Sequence, residues 1–330
     1  MNYRLLVPVS ALAAAMTVLP LTGQAPSSTQ STAKAWTHPK TPWGDPDLQG
    51  VWPSTELIGT PLQRPETFGD RALLSDEEFA QRETNSKKQA QTDNEEFAPA
   101  NRNVGVGPPA YWTDRGRPNR QASLVVDPPN GRIPPITEEA RKLAATRADA
   151  RKGRGAADSY EDRSLWDRCI TRGPVGSIVT GPYNQGNEIH QAPGYVVLRT
   201  EMIHESRIIP LDGRARVGAG IRNLMGDSRG HWEGNTLVVE TANFAGNVPI
   251  GGAPTSDALR LVERITRTGA GTLQYEITVE DSKTWTKPWK IAFPLKQDSE
   301  YQLYEYACHE GNYALKDILS GARADERAAK

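Results

Sequence analysis

The chain has 330 residues, of which 37% are hydrophobic, and a formal net charge of −1 at pH 7. This length and apolar content allow one large domain or two small ones with a real core. Because the charge is near zero and no Lys/Arg block stands out, nothing would attract nucleic acid, and no nucleic-acid partner is expected. The 29 glycines and 25 prolines indicate many turns and long loops.

The first residues follow the pattern of a secretory signal peptide. Arg4 precedes an apolar run over 5–21, and a polar region of small residues follows it. We therefore expect residues 1–24 to be a cleaved signal peptide that directs the mature chain to the periplasm or out of the cell. An uncleaved anchor is the alternative, although the run holds two prolines and is short for a membrane span. No later segment is apolar enough to cross a bilayer.

Residues 25–40 are predicted to be a flexible lead-in, and residues 41–180 a loop- and helix-rich part that packs on the core. The predicted elements are a short strand over 48–52, a helix from 75 to about 91, a short strand from 123, a helix from 137 to about 153 and a helix over 159–169. A capping box, Ser75 to Glu78, begins the first helix. The Gly- and Pro-rich stretch 93–120 has no periodicity and is a candidate lid or rim.

Residues 181–330 are predicted to form an antiparallel β core with a C-terminal helix over 312–327. Short segments, several with alternating apolar and polar residues, recur between turns, which is typical of a sheet with one wet face. They lie at 195–200, 207–211, 236–240, 259–266 and 272–280. We expect a mainly β fold with a barrel-like core of the calycin or lipocalin type, since closure removes exposed sheet edges. A β-sandwich is the alternative.

The two cysteines, Cys169 and Cys308, lie far apart in the sequence. In an oxidising compartment, an even pair of cysteines predicts a disulfide. Closing so long a loop contributes roughly 4–5 kcal/mol on the chain-entropy account. The alternative is that one of them is a catalytic thiol, which export disfavours.

Six blocks of the sequence form a recognisable set. They are PDLQGVW (46–52), EMIH (201–204), RIIPLDGR (207–214), GDSRGHWEGNTLVVE (226–240), WTKPW (285–289) and ACHEGNY (307–313). Together they resemble a large family of exported bacterial proteins whose members have no assigned reaction. The resemblance covers most of the mature chain, is densest after Cys169, and implies a shared fold and export. His190 stands where relatives tend to have an apolar residue, so no family-wide role is assigned to it.

The best acid–base cluster in the sequence lies at 201–207. Its members are Glu201, His204, Glu205 and Arg207. On a continuous strand, Glu201, Glu205 and Arg207 would share one face, and His204 would lie on the other. If the shared face lines a lumen, a carboxylate can exchange a proton while the arginine orients an anionic group. A turn at His204 would reverse the assignment, and a solvated face with surface ion pairs is the alternative.

The segment after the second cysteine supplies a fourth predicted catalytic residue. A histidine can exchange protons near neutral pH, and His309, held by a disulfide at Cys308, is predicted to act as a general acid or base. A capping or packing histidine is the alternative. The predicted ligand-binding residues are Trp112, Tyr183, Glu205 and Glu310. The two aromatic rings are included because they lie in polar loops, where ring faces stack on sugars and aromatic molecules.

The sequence has no phosphate loop, dinucleotide fingerprint or zinc-type ligand spacing, so neither a cofactor nor a metal is predicted. A metal site assembled from separate strands is the alternative. The leading prediction is an exported protein with a pocket for a small organic or carbohydrate-like molecule, with acid–base chemistry of a lyase, isomerase or hydrolase. A non-catalytic ligand carrier and an interaction module of the cell envelope are the alternatives.

Overall fold

The computed structural model describes residues 36–93, 113, 116–179, 181 and 183–329 of the chain. The predicted signal peptide at 1–24 and most of the predicted lead-in lie outside the described residues. Trp112, a predicted ligand-binding residue, also lies outside them. By their internal contacts, Thr37–Lys330 form one unit.

The described part of the chain is mainly β. Its strands are β1 (Gly50–Val51), β2 (Val125–Asp127), β3 (Asn187–Ala192), β4 (Tyr195–Thr200), β5 (Ser206–Pro210), β6 (Asp227–Glu233), β7 (Thr236–Ala242), β8 (Pro249–Ile250), β9 (Ala253–Pro254), β10 (Arg260–Gly269), β11 (Thr272–Glu280) and β12 (Trp289–Lys296). One antiparallel sheet has the order β1-β3-β4-β5, and a second has the order β2-β12-β11-β10-β7-β6. Strands β8 and β9 form a separate hairpin. The prediction of a mainly antiparallel β fold is confirmed.

Alternation along the strands directs apolar side chains into a core that both sheets share. In β11, every second side chain is no more than 3% exposed: Leu273, Tyr275, Ile277 and Val279. The shared core includes Ile189 and Ile209 from the first sheet and Ile265 and Phe293 from the second. Trp52 is fully buried in it, and its indole Nε1 donates to the Leu48 carbonyl oxygen at 2.9 Å. Burial of the two inner faces therefore holds the sheets together.

Between β5 and β6 the sheets meet without a hydrogen-bonded ladder. Gly230 of β6 lies against β5 and the residue after it. A Cβ there would stand 2.8 Å from the Ile209 side chain and 2.7 Å from the Leu211 side chain. Pro210, the last residue of β5, also has no N–H to donate. A closed barrel is therefore not found among the described residues, and two antiparallel sheets are what the structure has.

Four α-helices lie in the described residues: α1 (Asp76–Asp93), α2 (Glu138–Ala150), α3 (Gly173–Gly176) and α4 (Ala314–Ala328). The predicted capping box of α1 is formed, since Glu78 Oε2 accepts from the Ser75 N–H at 2.8 Å and Ser75 Oγ accepts from the Glu78 N–H at 3.3 Å. Thr137 Oγ1 caps α2 by accepting from the Ala140 N–H at 3.1 Å. No helix in this part of the chain is both long and apolar enough to span a membrane.

The helix predicted over 159–169 is wrong. A capping box between Ser159 and Asp162 closes only a short 3-10 helix, Tyr160–Asp162, after which Arg163 is extended (φ −88°, ψ 154°). Turns follow, and Cys169 has a φ of +53°. A right-handed helix does not accommodate that φ value. The apolar spacing of this segment therefore reflects a folded loop.

Candidate functional site

The predicted disulfide is formed between Cys169 and Cys308, with a Cα–Cα distance of 5.8 Å. It joins positions separated by 139 residues. Asn312 Nδ2 donates to the Cys308 carbonyl oxygen at 2.7 Å, which fixes the turn after the second cysteine. The bond thus holds the loop at 164–172 against the C-terminal segment.

Strand β4 does not continue through 201–207. It ends at Thr200, and a 3-10 turn, Met202–His204, separates it from β5. Within this turn, Ile203 and His204 have φ values of +59° and +42°, which a β-strand does not allow. The continuous strand is therefore wrong, and the alternative with a turn at His204 is what the chain forms.

Glu201 is 2% exposed, and its carboxylate is surrounded by hydrogen-bond donors. Oε1 accepts from the Asn184 side chain and from the Tyr304 backbone N–H, both at 3.0 Å. Oε2 accepts from the Tyr301 hydroxyl at 2.7 Å and from the Gly186 backbone N–H at 3.0 Å. Because four donors satisfy the buried carboxylate, its first role is to anchor the C-terminal segment.

His204 and Glu205 contact different neighbours. His204 is exposed, and its Nδ1 lies 2.9 Å from the Tyr306 carbonyl oxygen. Glu205 is half buried, and its Oε2 accepts from the Ser177 hydroxyl, at the end of α3, at 2.7 Å. The two side chains therefore tie the turn to two separate parts of the structure.

Arg207 lies in the core and is already paired. It is 8% exposed, and its guanidinium donates to both carboxylate oxygens of Glu263 in β10, at 2.6 and 2.8 Å. The Tyr275 hydroxyl of β11 also donates to Glu263. Burial by itself lowers the pKa of Arg207, but the adjacent Glu263 carboxylate more than offsets this, so the pKa is raised. Burial, followed by the Glu263 charge, raises the pKa of Tyr275 well above its usual value.

The remaining predicted residues lie near the disulfide. His309 and Glu310 are exposed in the turn after Cys308, and within the described residues neither side chain has a hydrogen bond or an ion pair. Tyr183 is half buried; burial raises the pKa of its phenol, and nearby Arg172 opposes that rise. The contacts of Glu201, His204, Arg207 and His309 thus differ, and their catalytic role stays a prediction.

The size of a cavity beside Arg207 shows how much room the space between the sheets offers to a ligand. Its volume is about 20 Å³, which is room for about one water molecule. Asn187 lines it, and Oδ1 of this buried residue has no hydrogen-bond partner in the described part of the chain. At this position, the space between the sheets is too small for an organic molecule.

A much larger cleft, of about 620 Å³, lies beside the disulfide-bonded loop. Its walls come from the loop at 164–172, from Gly176 of α3 and from the segment 247–254, which contains the β8–β9 hairpin. Most of the lining is apolar or small, including Leu165, Trp166, Val248, Ile250 and Pro254. Arg172 is the one charged residue among the described residues that line it.

The hairpin wall of the cleft depends on two glycines. Gly251 and Gly252 form the two-residue loop between β8 and β9, with φ values of +63° and +73°, and a type I′ turn requires positive φ at both positions. A Cβ on Gly251 would stand 3.1 Å from the Trp289 ring and 3.3 Å from the Trp285 ring. These buried indoles meet edge to face, with centroids 5.4 Å apart. The hairpin therefore rests on a packed aromatic pair.

The opposite wall positions Arg172. Thr171 Oγ1 accepts from the Gly173 N–H at 2.8 Å, and Gly173 has a φ of +74° that favours glycine. Pro174 then lies in the first turn of α3, where its missing N–H has no cost. This local geometry places Arg172 between the disulfide and α3, and its guanidinium lies 4.7 Å from the Trp166 ring centroid.

Sequence reasoning did not single out Arg172. Trp166 lies in the segment predicted as a helix over 159–169, so its place in a cleft wall was not predicted. The available signal was local: an arginine three residues after a disulfide cysteine and directly before a Gly-Pro helix start. Nothing in that pattern reveals that 247–254 forms the facing wall.

No protein-family model matches this chain, and no curated protein matches it significantly. The resemblance of the six sequence blocks to a family of exported bacterial proteins therefore stays a prediction. The candidate site is defined by the geometry of the cleft alone.

Proposed function

We propose that this protein is exported and binds a small organic molecule in the cleft between the loop at 164–172 and the β8–β9 hairpin. The observation that supports the proposal is the cleft volume of about 620 Å³, since small-molecule sites usually measure about 300–1,000 Å³. A mostly apolar lining with few polar groups is also typical of such sites. The disulfide supports export, because disulfides persist in oxidising compartments.

Binding has more support than acid–base catalysis at 201–207. Glu201 already accepts four hydrogen bonds, and Arg207 is neutralised by Glu263. A carrier that holds its ligand between the sheets also has little support, because the cavity there is small. The external cleft therefore carries the proposal.

We also propose that the two sheets form a barrel-like arrangement of the calycin type, open between β5 and β6 and between β1 and β2, where the described residues form no ladder. Sequential strands lie side by side through β3-β4-β5 and again through β10-β11-β12. Both sheets share one core. A β-sandwich remains the alternative.

Ligand-observed NMR on the full mature protein tests the cleft. The probes are indole, naphthalene carboxamide and a methyl glucoside, all uncharged. Leu165→Trp adds an indole ring to the cleft wall and should abolish binding of any probe that enters it. Ile170→Trp is the matched control, because Ile170 lies in the same loop, is 41% exposed and does not line the cleft.

We expect saturable binding of at least one ring compound to the wild type and to Ile170→Trp, and none to Leu165→Trp. Thermal melting of the three proteins checks that each is folded. Binding that survives Leu165→Trp unchanged, or no binding of any probe to the wild type, contradicts the proposal.

A further inference from the structure

The cleft is lined by one charged side chain, Arg172, that has no ion-pair partner among the described residues. Arg172 is half buried and, within the described residues, makes no hydrogen bond and no ion pair. Its contact is the stacking of the guanidinium on Trp166 at 4.7 Å. Moving a cation out of water is unfavourable unless the charge is paired. The described residues therefore do not supply the anion that would stabilise Arg172.

Neighbouring arginines with carboxylates in reach do form pairs. Arg163 contacts Asp167 at 3.0 Å, and Arg154 contacts Asp162 at 2.7 Å. Asp162 and Asp167 are therefore already engaged, and Arg172 forms an ion pair with neither of them. Arg172, the one charged residue among the described residues that line the cleft, therefore has no ion-pair partner in this loop.

The surroundings of Arg172 disfavour its charge. Burial lowers the pKa of Arg172, and the phenols of Tyr183 and Tyr306 oppose the shift only in part. Among the described residues, no carboxylate raises that pKa. A bound anion would supply the missing attraction, and its hydrogen bonds would be strong because the site is partly shielded from water.

We infer that the cleft binds an organic monocarboxylate, with the carboxylate on Arg172 and the apolar body of the ligand against Leu165, Ile250 and Pro254. This inference rests on the proposed function. The planar guanidinium fork matches a carboxylate. Because the described lining has a single cation, one negative charge completes the site, whereas a phosphate dianion would need further donors. The apolar remainder of the lining favours a hydrophobic ligand body over a sugar.

The test compares naphthalene carboxylate with its uncharged carboxamide, two probes of the same shape, by ligand-observed NMR and calorimetry. On the full mature protein we expect the carboxylate to bind about tenfold more tightly, as a charge-assisted hydrogen bond provides. Arg172→Gln should remove this preference, so that the two probes bind with equal affinity. Arg172→Lys should restore part of it.

Arg168→Gln is the matched control. Arg168 lies four residues before Arg172, also stacks on an aromatic ring (Tyr160, at 5.2 Å), and does not line the cleft. It should keep the full preference for the carboxylate. An equal loss in Arg168→Gln and Arg172→Gln overturns the inference, because the preference would then come from the general charge of the loop.

The two proposals fail in different ways. If both probes bind the wild type equally, and Leu165→Trp abolishes both, the cleft stands and the carboxylate inference is overturned. If neither naphthalene probe binds the wild type, the carboxylate inference is overturned. If indole and the methyl glucoside also fail to bind, the proposed cleft is overturned as well. If the wild type prefers the carboxylate and only Arg172→Gln loses that preference, both the cleft and the carboxylate inference are supported.

Discussion

Two arginines in two regions of this molecule lie partly or wholly out of water, and they are held differently. In the core, Arg207 meets Glu263 through two hydrogen bonds, with Tyr275 completing the group. In the cleft, Arg172 stacks on the Trp166 ring and has no ion-pair partner among the described residues. Its pKa is lowered, whereas the pKa of Arg207 is raised.

This contrast distinguishes an arginine that stabilises the fold from an arginine that can bind a ligand. A guanidinium that already has a carboxylate partner in the core can join two sheets but cannot attract a ligand anion. One that is half buried beside an open cleft, without such a partner, can do so. The sequence drew attention to Arg207, whereas the geometry draws attention to Arg172.

The largest expected effect is on the core pair. Glu263→Ala leaves Arg207 buried without its partner and should destabilise the protein by about 3–5 kcal/mol in urea unfolding. The matched control is Glu280→Ala, which removes the partially exposed pair with Arg260 (3.1 Å) and should cost about 0–1 kcal/mol. Equal losses in the two variants would mean that Arg207 finds water when Glu263 is removed.

Removal of the disulfide comes next. Cys169→Ser combined with Cys308→Ser releases a loop of 139 residues and should cost about 2–5 kcal/mol of unfolding free energy. The same change frees the loop that carries Arg172, so carboxylate affinity should fall as well, which Glu263→Ala should not cause. Urea midpoints measured with and without a reductant check the loss of stability. The reductant should lower the midpoint of the wild type and leave that of the double variant unchanged.

Glu201→Gln tests the buried carboxylate that the sequence assigned to catalysis. The amide replaces one acceptor oxygen by a donor, so at least one of its four partners loses its bond, at a cost of about 1–3 kcal/mol. Glu305→Gln, an exposed glutamate in the same segment, is the control and should be near neutral. A variant as stable as the wild type would show that the donors around Glu201 find other acceptors.

Acid stability gives a smaller effect at Asp162. A hydrogen bond from Arg154, with further help from Ser159, holds the pKa of the Asp162 carboxyl well below its usual range. As pH falls, the unfolded chain therefore binds this proton first, so the stabilisation is present above about pH 4 and is lost below it. Urea midpoints between about pH 5 and pH 2 should fall less steeply for Asp162→Asn than for the wild type. Parallel slopes would contradict this assignment.

The smallest change in stability is expected at the cleft. Arg172→Gln removes no hydrogen bond or ion pair that the described residues make, and its unfolding free energy should stay within about 0.5 kcal/mol of the wild type. Thermal and urea unfolding beside Arg168→Gln check it. A loss comparable to that of Glu263→Ala would assign Arg172 to the structure and break the comparison between the two arginines.

Local patterns predicted much of the fold. The helices predicted from 75, from 137 and over 312–327 correspond to α1, α2 and α4. The predicted strand segments located β4, β5, β7, β10 and β11 within a few residues, because these patterns depend on near neighbours in the chain. The same reliance on near neighbours explains why the helix predicted over 159–169 is wrong. Its apolar spacing fits a helix, while the capping box at Asp162 and the positive φ of Cys169 interrupt it.

The sequence by itself determined the β-rich fold class and the disulfide, since only two cysteines are present and one pairing is possible. Tertiary structure decided which charges are neutralised and where a cleft lies. Arg207 and Glu263 are 56 residues apart, and the walls of the cleft come from 164–176 and 247–254. Such pairings depend on how sheets and loops pack, because an ion pair or a cavity is fixed by distance in space, and no periodicity along the chain encodes that distance.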